Sequence, residues 1–171
     1  MNKYSVITGI AIAVIVIPFL YSGMSILGAQ QLEYRWYSPG EFSYFTTSNP
    51  GKMEFCNTLP FWISFQEFKI SPYYTGALMG TYTVDRLTLD PISSGVQDGF
   101  FSSEEIAMAQ HTFMNFDFEF DEGDIRLDPN QFAVLVQIDT PILGIIPYST
   151  TTQISAFELD QKMKSLDLTC D

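Results

Sequence analysis

The chain reads as an all-β protein: an antiparallel β-sandwich with one short helix, set behind an N-terminal transmembrane helix. Three observations predict this. Residues 4–32 carry no charged side chain. After them, short runs of alternating aromatic and β-branched residues recur between turn signals, as strands do. Only the segment after Phe101 combines a helix-starting sequence with good helix formers.

The N-terminal run has VITGIAIAVIVIPFLYSGMSIL at its centre. About 20 apolar residues cross a bilayer core, so Val6 to Ile26 is long enough. Pro18 removes one backbone donor, which a membrane helix accommodates through its neighbours. Two other readings compete with an anchor. A secretory signal has an apolar core of roughly 7–15 residues; this run is longer, although Leu27-Gly28-Ala29 resembles a cleavage site before Gln30. The run also suits a helix buried in a soluble protein. Length favours the anchor and divides the chain into a membrane anchor, 1–29, and an extracytoplasmic β-sandwich domain, 30–171. Lys3 on one side of the span, against Arg35 beside Glu33 on the other, biases the terminus inward and the domain outward. That places the protein in the cell membrane as a single-pass chain. Tyr34-Arg35-Trp36-Tyr37 suits either a membrane-interface belt or the first strand of the domain.

The strands follow in order. KMEFCN (52–57) comes first, then FWISFQEFKIS (61–71), in which Phe61, Ile63 and Phe65 face one way and Trp62, Ser64, Gln66 and Phe68 the other. Tyr73 to Val84 gives two extended runs broken by Gly76 and Gly80. Pro91 to Gly99 reads as a loop. Ser102-Ser-Glu-Glu105 has the form of a capping box, so a helix is expected over about 103–111, ending near His111. Phe113 to Phe120 then alternates Phe116, Phe118 and Phe120 with Asp117 and Glu119, as a half-buried strand does. Phe132–Asp139, Ile142–Ile146 and Thr150–Leu159 complete the set. Ser38-Pro-Gly40, Asn49-Pro-Gly51, Ser71-Pro72, Asp90-Pro91, Glu122-Gly-Asp124, Asp128-Pro-Asn130 and Ile146-Pro147 punctuate it.

A formal charge of −12 and 15 phenylalanines describe an acidic domain with a large aromatic core. Phosphate binding needs a basic face, so nucleic acid is excluded as the obvious partner, and broad docking onto anionic headgroups is disfavoured. The membrane, reached through the N-terminal helix, is the one partner the residues name; other membrane or surface proteins are further candidates. The two cysteines, Cys56 and Cys170, are expected to pair if the domain lies outside the cytoplasm, and otherwise to be separate thiols.

Cys56-Asn57-Thr58-Leu59-Pro60-Phe61-Trp62-Ile63, followed by FWISFQEFKI and the return Gly76-Ala-Leu-Met-Gly80, resembles the late-embryogenesis-abundant type-2 family, the water-stress and hypersensitive-response domain. The resemblance covers about residues 50–160, with FDFEF and QFAVLVQIDTPILGIIP as the closing strands. Asn57 and Pro60 stand apart here, where the family has them adjacent. The resemblance implies a small antiparallel β-sandwich with a helix, often behind a single span, and no known catalysis.

No catalytic set emerges. His111 is the only histidine, so a Ser-His-Asp triad has one candidate base and a copper site of two histidines is impossible by count. Phosphate-loop, dinucleotide, nucleophile-elbow and zinc-protease motifs are missing. Asp117, Glu119, Asp121, Glu122, Asp124 and Asp128 supply carboxylates around a glycine turn, and Asp121, Glu122, Asp124 and Asp128 form the candidate calcium turn. The calcium-loop spacing fails there, and a solvated acidic turn is the expected state. No cofactor and no enzyme activity are expected. The residues fit a membrane-anchored, non-catalytic accessory or binding protein; the alternative is a structural subunit, either of a pilin-like surface filament or of a membrane complex.

Overall fold

The computed structural model describes residues 3–120, 127–166 and 168–170. Helix α1 (Lys3–Gln30) leads into β1 (Glu33–Trp36), a 3-10 turn (Pro39–Glu41) and the short α2 (Tyr44–Thr47). Then come β2 (Gly51–Asn57), β3 (Ile63–Tyr74), β4 (Ala77–Leu78), β5 (Thr81–Leu89) and β6 (Ser93–Ser102). Helix α3 (Ile106–Phe120), a 3-10 turn (Pro129–Gln131), β7 (Phe132–Asp139), β8 (Ser149–Ser155) and α4 (Ala156–Met163) complete the chain.

All the strands join one antiparallel sheet in the order β1-β2-β6-β5-β3-β7-β8, with β4 paired to β3. The sheet curls into a half-barrel. Where the expected sandwich would place a facing sheet, the described residues place helices. Phe113 and Phe116 of α3 and Leu159 and Met163 of α4 are buried in the same core as Phe55, Phe68, Tyr82 and Val134 of the sheet. Tyr44 sits at the centre, its ring edge-on to Phe116 and Phe132 at centroid distances of 4.9 and 5.3 Å. Phe116 stacks on Phe132 at 4.2 Å. The Tyr44 hydroxyl donates to the carbonyl of Ala156.

Several segments depart from expectation. Phe113–Phe120 is helical, not a strand. Ala109, Phe113 and Phe116 are buried at spacings of four and three, the period of one helix face. The Phe-acid alternation over 116–120 is too short to separate the two periods, and tertiary burial decides. The helix therefore passes through His111, which is exposed, and does not end there. Its start differs too. Ser102 stays in β6, while Ser103 donates to the carbonyl of Met79 and accepts from the amide of Glu105. A reciprocal capping box forms elsewhere, between Ser43 and Thr46 at α2.

Of Pro91–Gly99, expected as a loop, only Pro91 and Ile92 are turn; from Ser93 on the chain is β6, paired with β2 along Gly51–Asn57. Its glycines are there for space. A Cβ on Gly99 would lie 2.5 Å from the Tyr82 ring, and one on Gly95 would lie 2.7 Å from Leu89. Strand β3 runs through Pro72, whose carbonyl accepts from Met79 once the β5 register ends at Ile70. Phe65 and Phe68 do not face opposite ways: both are buried in one cluster, 6.3 Å apart. Thr150–Leu159 divides into the end of β8 and the start of α4, with the Ser155 hydroxyl accepting from Glu158 at the junction. Tyr34–Trp36 is a strand, and Trp36 is buried against Phe42 and Tyr82.

Replacing Phe116 with Ala should cost about 3–5 kcal/mol by denaturant unfolding, while Met114→Ala, on an exposed part of the same helix, should stay within about 0.5 kcal/mol. The ion cluster away from the core gives a pH prediction. Lys69 bridges Glu67 at 2.6 Å and Asp139 at 3.1 Å. Burial alone would raise the Asp139 pKa, but hydrogen bonds from Ser149, Gln137 and Lys69 outweigh it and hold the carboxyl below its ordinary range. Its contribution is complete above the unfolded-state carboxylate pKa and is lost as pH falls through the lowered native one. Asp139→Asn should flatten that part of the acid limb in urea titrations between about pH 2 and 5.

Candidate functional site

The antiparallel topology gathers the loops 58–62, 90–92 and 140–148 at one end of the sheet, the end that α1 meets. Residues Val6 to Tyr21 of α1 are exposed except Ala13. Ser22, Ser25, Gly28 and Ala29, spaced along one helix face, are buried. Gly28 is needed for this approach: a Cβ there would lie 2.6 Å from Ile63 of β3. Ala29 and, just past the helix, Leu32 enter the domain core. The last turns of the apolar helix are thus part of the folded domain.

Ile142–Ile146, expected as a strand, is the tip of a tight hairpin closed by a bridge between those two residues. Leu143 and Gly144 both have positive φ, at 55° and 72°. A leucine in that region is strained. Here its amide donates to the Ser22 hydroxyl at 2.9 Å, which ties the hairpin to α1. Ile145 at the tip is 81% exposed, and Ile146, Trp62 and Ile92 at the same end of the sheet are also exposed. Trp62 donates its indole N–H to Asp90, so the ring is oriented and not loose.

Between α1, this hairpin and the sheet lies a cavity of about 650 Å³. Ser64 and Gln66 of β3 and Arg86 and Thr88 of β5 line one side, at alternate positions of paired strands. Pro18, Tyr21, Ser22 and Ser25 line the helix side, and Thr140, Pro141, Leu143 and Gly144 the hairpin side. The hydroxyl oxygens of Ser25 and Thr140 are buried without a hydrogen-bond partner among the described residues. None of the described residues lining the cavity is a carboxylate. A second hollow, about 700 Å³, opens at the other end of the sheet between Leu78, Met79, Gly80 and the start of α3 at Met108 and Ala109.

No protein-family model matches the chain, and neither does any curated protein sequence. The chemistry of the site therefore rests on its own residues.

Cys56 and Cys170 form a disulfide, with Cα atoms 5.6 Å apart and a sequence separation of 114. It joins the chain after α4 to β2, and Arg35 of β1 reinforces that closure by donating to the carbonyls of Ser165 and Leu166. Asp121, Glu122 and Asp124 of the candidate calcium turn lie outside the described residues. Asp128 is described: its carboxylate accepts from the Asn130 amide and from the side chains of Asn130 and Gln131, which lowers its pKa. These bonds start the 3-10 turn before β7. Asp117 accepts from the amides of Tyr44 and Phe45 at 2.6 and 2.7 Å, holding the first turn of α2. His111 lies on the exposed side of α3 beside Asn115. Among the described residues, no three of His, Cys, Asp and Glu converge on one point.

Sequence reasoning missed Arg86, Ser22 and Leu143, because no local pattern links residues of a helix, a strand and a hairpin so distant in sequence. Asn57, three residues before Pro60, holds two loops together. Its buried side chain donates to the carbonyls of Phe61 and Asp90 and accepts from the Leu59 amide. Replacing either cysteine with Ser should lower stability by about 2–5 kcal/mol. Thermal unfolding with and without reductant checks this, and reductant should leave the Cys56→Ser variant unchanged.

Proposed function

We propose that this chain is a single-pass, membrane-anchored, non-catalytic accessory or binding protein whose domain rests directly on the extracytoplasmic face of the bilayer. The observation that carries this reading is the tie between α1 and the 141–147 hairpin. About 20 helical residues span the hydrocarbon core, and counted from Tyr4 they end near Gly23. Ser22 therefore stands at the inner edge of the headgroup layer, and the hairpin bonded to it brings Ile145 and Ile146 to the same depth. Buried Ser25, Gly28 and Ala29 support a retained helix over a cleaved one, since removal before Gln30 would strip these contacts. The disulfide supports an oxidising location. Kinship with the late-embryogenesis-abundant type-2 domains belongs to the same proposal; a single apolar helix before an antiparallel β domain is in keeping with it.

The reading as a subunit of a larger membrane complex is favoured by one feature, the exposure of Leu78 and Met108 in the hollow at the far end of the sheet. That hollow would present them to a protein and not to lipid.

Ile145→Cys, labelled with an environment-sensitive fluorophore, should show blue-shifted emission in bilayers and be quenched by lipid-borne quenchers near the headgroup boundary. A label at Met108→Cys should report water. Intact cells treated with a membrane-impermeant thiol reagent should label Cys56 and Cys170 only after reduction. Labelling that requires cell lysis would overturn the proposed orientation.

A further inference from the structure

We infer that the cavity between α1, the hairpin and the β3–β5 ladder is a binding site for the phosphate group of a membrane phospholipid, with Arg86 as its ionic partner. The inference rests on the membrane-apposed reading above. Arg86 stands out among the cations. Arg35 pairs with Glu54, Lys52 with Asp98, Lys69 with Glu67 and Asp139, and Lys164 with Asp160, while Lys162 lies over the Tyr34 ring. Among the described residues, Arg86 has no such partner. Glu67 and Asp139 are engaged by Lys69 and Asp90 by the Trp62 indole, and Asp85, beside Arg86 in β5, forms no ion pair with it.

In a chain of net charge −12, a cavity of about 650 Å³ lined by an arginine and, among the described residues, no carboxylate is a local reversal of sign. The rest of its lining matches a headgroup. A guanidinium donates two parallel N–H bonds to a phosphate, a geometry an ammonium cannot reproduce. Ser64, Gln66 and Thr88 add donors beside it, and the partnerless hydroxyls of Ser25 and Thr140 offer two more. Pro18 and Leu143 present apolar surface from the membrane side, where acyl chains would leave the cavity. Pro18 to Ser25 covers about 10 Å of helix axis, straddling the boundary placed near Gly23. The domain's acidity opposes broad adsorption to an anionic surface, but not capture of one phosphodiester inside a cavity.

The test uses the full chain, expressed in cells, extracted in mild detergent and measured by native mass spectrometry and phosphorus assay. The wild type should retain about one phospholipid per chain, and Arg86→Gln should cut retention about tenfold or more, the loss expected for a charge-assisted hydrogen bond. Arg86→Lys should retain an intermediate amount, and Lys52→Gln should match the wild type. Thr88→Val, which removes a donor without altering charge, should lower retention by about severalfold and provides a second measure independent of Arg86. Equal retention in wild type and both cavity variants, with disulfide and melting temperature intact, would overturn the inference. So would inorganic phosphate raising the melting temperature of the wild type but not of Arg86→Gln in lipid-free detergent, with no lipid retained, because the anion would then come from solution. Carbonate extraction separates this from the anchored reading. A wild type released from membranes would sink the anchor, whereas a wild type that stays in the membrane but carries no lipid would sink only the phosphate site.

Discussion

A single curled sheet has one concave face, and that face here is lined with Phe55, Phe68, Tyr82, Val134 and Ile154. Burying such side chains is worth about 1.5–3 kcal/mol each, so the face has to be covered. No second sheet does it among the described residues. Helices α3 and α4 supply the cover, and Tyr44 of α2 fills the space between them with rings from α3 and β7 around it. Much of the remaining structure follows from that need. Asp117 holds α2 in place through two amides, Tyr44 reaches the first residue of α4 through its hydroxyl, and Ser155 caps α4 as the chain leaves the sheet.

A half-barrel also leaves two edges, β1 and β8. Exposed edges pair with other chains unless they are managed. Helix α4 touches both β8 and β1, and Arg35 of β1 takes the carbonyls that follow α4. The disulfide makes this closure covalent by joining the same tail to β2. The covering helix and the edge protection are therefore one device, and the bond between Cys56 and Cys170 holds it shut.

The end of the sheet that meets α1 has the opposite character. Its loops expose apolar side chains, and its cavity holds a cation with no partner among the described residues. The exposed isoleucines favour association in water, and the buried hydroxyls of Ser25 and Thr140 without partners among the described residues cost free energy. In the placement proposed above, a bilayer would accept Ile145 and Ile146, and its phosphate oxygens would face Arg86 and these hydroxyls. The strained Leu143 belongs to this end as well: its amide is satisfied by α1 itself.

The apolar helix, the mostly antiparallel β character and the individual strands β2 and β7 were legible from sequence, because each depends on a local period or an uninterrupted run of one residue class; for β1 the sequence left a strand and an interface belt both open. So was the pairing of the only two cysteines, once an oxidising location was assumed. The helix after Phe101 was legible in its existence and not in its bounds, since Ser102 remains in β6, FDFEF satisfies the strand period and Phe113 and Phe116 satisfy the helical one. Strand β6 was hidden because its glycines look like loop residues until Tyr82 and Leu89 are seen to occupy the space above them. The replacement of a second sheet by helices, and the meeting of Ser22, Arg86, Thr140 and Leu143 around one cavity, were decided by tertiary structure alone. They depend on contacts between groups as far apart in sequence as the Ser22 hydroxyl and the Leu143 amide, and no local sequence pattern records such contacts.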